Sequence, residues 1–529
     1  MSSSETNITQ AGEWRPETSP WIIALSVMLS TFMVVLDTSV ANVALPHMAG
    51  SFSATTDESM WILTSYLIAT GIILPSTAWF SSIFGRKNFL IICIILFTVA
   101  SILCGVSNSL DMMILARIFQ GLGGGALLPI SQAILLESFP KEQRGISMAV
   151  FGVGVVLAPV IGPTLGGWIT DNFSWNWIFF INVPVGILAV ILTQMFVEDP
   201  PYIEKGVINR IDFLGFGALI IWLVTLQVIL DNGQKSDWFE SAWVCWSALA
   251  SVSAMIFFFI WEFHFKDSII DLNVFKDRNF TVGTLITTVV NAILYSTLAI
   301  LPAFLQSLLG YSAYHSGMAI TPRGLGCLAT IGIAGYLTDK MDNRIITAVG
   351  FAFLAISCFM FGNLNLSISM NNIIIPNIIC GFALGLIFIP LATLSFATLK
   401  NEQMTNATGI QNLLRNIGGG IGISIVNTLL SRISQAHQAS MVGHLSSLNP
   451  VFQYKLQTIQ HFFALHVNPA IASQKANYLM YKTLIKQSVL CSYIDNFRLF
   501  AILSLLLIPA VLLFKKIKSE DKGTEAIMH

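Results

Sequence analysis

The residues of this sequence best able to do chemistry are the few charges inside its long apolar runs. A carboxyl group held away from water resists ionisation, and a neighbouring cation restores its charge. A group moved between those two settings takes up and gives off a proton. Asp37 is the clearest such residue. It stands in Phe32-Met-Val-Val-Leu-Asp37-Thr-Ser-Val-Ala-Asn42-Val-Ala-Leu-Pro46, where everything before it is apolar. Its expected partner is Arg117, in Arg117-Ile-Phe-Gln120-Gly121-Leu-Gly123-Gly124-Gly125. Asp37 lies nine residues before Pro46, and Arg117 six after Asp111. Helical rise then puts them roughly 13 and 9 Å below one membrane surface, a difference that an arginine side chain spans. The plainer readings are a permanently paired structural aspartate, and an arginine that snorkels to the interface.

Two more arginines stand in apolar runs. Arg415 lies between Asn412 and Gly418-Gly419-Gly420, and Arg323 follows Pro322. Either could pair with an acid, snorkel, or meet an anionic substrate. Another run reads Gly152-Val-Gly154-Val-Val-Leu-Ala158-Pro159-Val-Ile-Gly162-Pro163-Thr-Leu-Gly166-Gly167. Its Gly154, Ala158, Gly162 and Gly166 recur every four residues, so they share one helix face and admit a close neighbour. Pro159 and Pro163 are expected to kink the same helix. Polar and aromatic residues at mid-membrane depth are expected to line a cavity: Phe32, Asn42, Tyr66, Gln120, Asn291, Tyr295, Gln306, Asn412 and Arg415. For most of these, packing or interhelical hydrogen bonding is the blander account.

The elements that must position these residues follow from composition. Of 529 residues, 54% are hydrophobic and 10% charged, against about 25% charged in soluble domains. The apolar residues form runs long enough to cross about 30 Å of hydrocarbon. Helices are expected at 21–45, 59–80, 88–107, 112–136, 145–168, 177–196, 213–231, 242–263, 280–306, 316–337, 345–363, 373–397, 408–430 and 496–514. Backbone groups in lipid need partners within their own segment, so all are α-helical. Loops holding Arg86, Lys87, Arg144, Lys276, Arg278, Lys340, Arg344 and Lys400, and the tail with Lys515 and Lys516, alternate with loops nearly free of basic residues. The positive-inside rule then puts both termini in the cytoplasm. Residues 431–495 read as a long polar loop on the outer side, with a helical apolar stripe over 452–466. That stripe suits a surface helix or a docking surface for a partner. The seven cysteines form no CxxC pair, and no zinc or disulfide framework is expected. The polar stretch 1–20 lacks the features of a cleaved signal, so the first run is expected to insert and stay.

Ala78-Trp-Phe-Ser-Ser-Ile-Phe-Gly85-Arg86-Lys87 follows the second span and Gly335-Tyr-Leu-Thr-Asp339-Lys340 the tenth, with matching spacing. Two six-helix repeats with two helices between them would produce this. Taken with Arg210-Ile-Asp212, Trp175-Asn-Trp177-Ile-Phe-Phe-Ile-Asn182-Val-Pro184 and the strings quoted above, the chain resembles the EmrB/QacA-type, fourteen-helix drug:proton antiporters of the major facilitator superfamily. The resemblance implies an all-α major facilitator fold with a cytoplasmic segment 1–20, an N-terminal bundle 21–196, a two-helix linker 197–263, a C-terminal bundle 264–514 and a tail 515–529. It implies an inner-membrane protein exporting hydrophobic or amphipathic compounds in exchange for protons, without cofactor or metal. Asp37 and Arg117 would then be coupling residues, and Gly154, Ala158, Pro159, Gly162, Pro163, Gly166 and Gly167 the antiporter motif. Gly85, Arg86, Lys87, Gly335 and Asp339 would form cytoplasmic gating turns. The resemblance also implies a membrane-fusion partner of the EmrA type and an outer-membrane channel of the TolC type. One departure stands out: Ser82 and Ala78 occupy positions where the superfamily usually has Asp and Gly.

Other readings stay open at this stage. One is an exporter dedicated to a single native metabolite, such as a siderophore or lipid-like acid. An importer is disfavoured by the motif of 152–167. An enzyme is not expected, since no nucleotide-binding loop, HExxH or nucleophile elbow occurs.

Overall fold

The computed structural model describes residues 16–515, apart from 141–142, 201–211, 265–269, 312, 339, 444 and 447. Among the described residues every element is helical. The first half contains α1 (Pro20–Ser51), α2 (Thr56–Phe84), α3 (Arg86–Gly105), α4 (Leu110–Gly125), α5 (Leu127–Ser138), α6 (Arg144–Asn172), α7 (Trp177–Phe180) and α8 (Asn182–Phe196). Next come α9 (Phe213–Asn232) and α10 (Ala242–His264). The second half contains α11 (Arg278–Ser307), α12 (Ala313–Thr338), α13 (Asn343–Phe361), α14 (Asn371–Phe396), α15 (Met404–Val442), α16 (Pro450–Ala464) and α17 (Pro469–Ala510). Two pairs, α4 with α5 and α7 with α8, each form one crossing, and fourteen spans result that are long and apolar enough to cross a membrane.

The span ends are set by local chemistry. A helix leaves its first amides without partners, and polar residues just before the apolar runs supply them. Ser109, Asp212, Asp277, Asp342 and Asn468 each accept a bond from an amide of the helix that follows. Thr55 and Glu58 form a reciprocal capping box on α2. Gly85, between α2 and α3, has φ +80°, a left-handed value that residues with a Cβ rarely adopt.

Helices α1–α8 pack chiefly on one another, as do α11–α17. Helices α9 and α10 pair together, and α9 also touches α2 of one half and α15 of the other. Helix α10 is exposed on most sides through Trp246, Ile256, Ile260 and Phe263, as a helix bathed in lipid should be. Alternation of fourteen spans brings the start of the first span and the end of the last to one end of the bundle, the terminal end. There Thr18 bonds to Glu198, and the Lys515 amide to Asn279.

The long polar stretch between the last two spans is not a loop. Helix α15 continues to Val442 and α17 begins at Pro469, so both project past the opposite end. Helix α16 covers 452–464 of the apolar stripe and packs on α17. Hydropathy marks where a helix leaves lipid, not where it stops.

Candidate functional site

Asp37 and Arg117 meet in the interior of the first half. Arg117 Nη1 donates to Asp37 Oδ2 at 2.7 Å. Asp37 is 2% exposed and Arg117 fully buried, so neither charge has bulk water to fall back on. Asp37 Oδ1 accepts two further bonds, from Gln120 Nε2 at 2.9 Å and Asn182 Nδ2 at 2.8 Å. Both amides also reach Ser101 Oγ, at 3.2 and 2.9 Å, and that hydroxyl donates to the Phe179 carbonyl. The guanidinium donates through Nε to the Ile62 carbonyl and through Nη1 to Gln120 Oε1. Its face lies over the Tyr66 ring, 4.3 Å from the centroid, and 5.7 Å from that of Phe179. Together α1, α2, α3, α4, α7 and α8 supply one closed polar cluster around a single ion pair. A desolvated pair persists only where such extra bonds satisfy its remaining atoms. One donor, Arg117 Nη2, has no described acceptor.

Helix α6 lies against α1 beside this cluster. A Cβ added at Gly162 would stand 2.4 Å from Ser39 Oγ, and one at Gly166 2.7 Å from Val40 Cγ1. Gly154 meets Met28, and Ala158 is fully buried on the same face. Gly167 faces open space, Pro159 is exposed, and α6 is continuous through both prolines. The other side of α6 meets α12 of the second half: Gly152 lies near Ile331, Val160 near Gly324 and Ala149 near Gly335. Thus α6 touches the helix of Asp37 on one side and the second half on the other.

The terminal end is tied shut between the halves. Arg144 donates to the Phe396 carbonyl and to Asn401 Oδ1. Deeper in, Thr408 Oγ1 bonds the Pro129 carbonyl at 3.1 Å, and Asn412 Nδ2 bonds Gln132 Oε1 at 3.0 Å. Of the turn residues, Arg86 forms a buried ion pair with Glu137. Lys87 donates its amide to Asp199 and its ammonium to the Gln194 carbonyl. Asp339 lies outside the described residues.

The residues expected to line a cavity divide. Tyr66 and Gln120 belong to the Asp37 cluster and are fully buried or nearly so. Phe32 is half-buried beside the same core. Asn291, Asn412 and Arg415 lie together in the second half: Arg415 Nε donates to Asn291 Oδ1 at 3.1 Å. Asn42, Tyr295 and Gln306 are exposed, and Asn42 bonds back to its own helix at the Thr38 carbonyl. Arg323 is buried, with Nε on Asn377 and Nη1 on Thr297 and no described acid. Sequence reasoning missed Ser101, Asn182 and Gln132. Asn182 did carry a signal, as a lone amide beside Pro184 in an apolar run.

Comparison with known proteins places this arrangement. The pattern of the Major Facilitator Superfamily matches residues 27–423. The chain belongs to the major facilitator superfamily. Within the superfamily it is 35% identical to the multidrug export protein EmrB of Escherichia coli strain K12, over 81% of this chain and 84% of that protein. It is 32% identical to the fatty acid resistance protein FarB of Neisseria gonorrhoeae, over 93% and 96% of the two chains. The human organic anion transporter MFSD10 shares the fold, with TM-score 0.59 over 92% of this chain at 12% identity. This is therefore a multi-pass transporter of the EmrB-type branch, in the inner membrane.

Proposed function

We propose that the protein exports hydrophobic or amphipathic compounds across the inner membrane in exchange for protons. The observation that carries this reading is the buried Asp37–Arg117 pair on the helix that α6 grips. Protonating Asp37 cancels the charge that balances Arg117, leaving a fully buried cation uncompensated, which is costly. The cluster must then rearrange, and α1 moves with it. Interlocked packing at Gly162 and Gly166 passes that movement to α6, and the contacts at Val160 and Ala149 pass it to the second half. Release of the proton restores the pair and the original packing. Alternation of the two packings opens one end of the bundle as it closes the other. The basic loops orient the terminal end toward the cytoplasm. In this scheme 21–196 and 264–514 act as rocking bundles, and 197–263 as their linker.

The projecting helices α15–α17 would provide a surface for a membrane-fusion protein of the EmrA type, which would continue to a TolC-type channel. Their length beyond the bilayer supports this part of the proposal. The test is everted vesicles energised with a proton gradient, to which a panel of amphipathic drugs is added. Substrate-evoked proton movement is expected for the wild type, and its absence across the panel would overturn antiport.

A second reading, export of one native lipid-like acid, has one observation in its favour. The fatty acid resistance protein is a relative at 32% identity over 93% of this chain. A narrow substrate profile confined to such acids would favour it.

A further inference from the structure

Resting on the export reading, we propose that Arg415 is the headgroup site of the transport cavity and selects amphipathic anions such as long-chain carboxylates. Arg415 and Asn412 stand three residues apart on α15 and therefore share a face. Asn412 crosses to Gln132 of the first half, so that face looks into the space between the halves. Arg415 lies about one turn further along α15 from the closed terminal end. Its guanidinium sits between α11 and α14, donating Nε to Asn291 and lying 5.5 Å from the centroid of the Phe388 ring.

The charge on Arg415 is left open. No carboxylate among the described residues pairs with it, whereas Arg117 has Asp37 and Arg86 has Glu137. A guanidinium offers five N–H donors in a planar fork. Asn291 takes one, and the Nη1 and Nη2 donors meet no described protein acceptor. Unlike Nη2 of Arg323, they are not among the sealed-off polar atoms. A half-buried cation in an apolar span is costly unless something anionic visits it. The fork fits a carboxylate in two parallel bonds. Phe388 and the apolar walls of α11 and α14 would then take the start of an alkyl chain.

The chemistry of the site also separates it from the proton site. Asp37 and Arg117 neutralise each other inside the first half, so the proton is handled there and the anionic headgroup in the second half. Neutral or cationic amphiphiles would gain nothing from Arg415, and cations would be repelled by it.

The test uses the full chain in lipid nanodiscs, with radiolabelled dodecanoate and radiolabelled tetraphenylphosphonium as probes in scintillation-proximity binding. Arg415→Gln is expected to weaken dodecanoate binding about 10- to 100-fold, the size of a lost charge-assisted contact. Arg415→Lys is expected to recover part of it, since it keeps the charge without the fork. Tetraphenylphosphonium binding should stay unchanged or tighten. Equal weakening of both probes would mean that Arg415 only supports packing, and unchanged dodecanoate binding would place the anion elsewhere; either result overturns the proposal. Gel-filtration behaviour of Arg415→Lys guards against a folding defect. Binding that depends on Arg415 without any export in proteoliposomes would sink the export reading and leave the anion site standing.

Discussion

Separating the two partners of the buried pair should expose how tightly they depend on each other. Asp37→Asn keeps the volume of the side chain and most of its bonding to Gln120 and Asn182. Among the described residues it removes the only charge paired with Arg117, a residue with no exposed surface. Leaving one member of such a pair buried alone costs about 3–5 kcal/mol. Arg117→Gln should cost a similar amount by stranding Asp37. Removing both charges in Asp37→Asn/Arg117→Gln leaves no uncompensated buried charge, so it avoids the penalty that each single change carries. The double variant should therefore be more stable than either single one, with a coupling energy of about 2 kcal/mol or more. Equilibrium unfolding of the four proteins in mixed detergent micelles measures this cycle. Strictly additive costs, or an Asp37→Asn protein as stable as the wild type, would refute the claim that the pair is one desolvated unit. Transport offers an independent check: the double variant should fold well and still fail to couple substrate to protons.

Further outcomes follow from the packing of α6 and the closed terminal end. Gly166→Val should push α1 and α6 apart and lower drug export severalfold while leaving membrane insertion intact, since overpacking costs about 1–3 kcal/mol; export assays alongside expression levels check it. A Cβ built at Gly335 stands 2.8 Å from that of Ala149, so Ala149→Cys/Gly335→Cys should cross-link on oxidation after small adjustment. Export should then stop and return with reductant, and continued export by the cross-linked protein would rule out rocking about this contact. Replacing α16 by a short flexible linker should leave transport in isolated vesicles unchanged and abolish drug resistance in cells, if the projecting helices dock a partner; resistance at the wild-type level would remove that role.

The spans were legible because lipid imposes a simple rule, and runs such as 21–45 and 88–107 obey it. The ends were less so. Helix α17 starts at Pro469, not near 496, because its first turns are polar yet still helical in water. Span four breaks at Ala126, after three consecutive glycines. At the site, Asp37 and Arg117 could be paired from depth alone, as both flanking turns are visible in the sequence. Ser101 and Asn182 could not, because their role depends on how α3 and α8 rotate about their axes, which an all-apolar run leaves unmarked. For the same reason the sequence did not mark Asn42, Tyr295 and Gln306 as exposed while Tyr66 and Gln120 are buried.

The most direct measurement is uptake driven only by a pH step in proteoliposomes containing purified protein and an exported drug. Coupling through Asp37 predicts uphill accumulation by the wild type that collapses when the step is dissipated, and for Asp37→Asn only downhill movement that ignores the step. Accumulation by Asp37→Asn that still follows the pH step would contradict it, since the proton would then travel by another group.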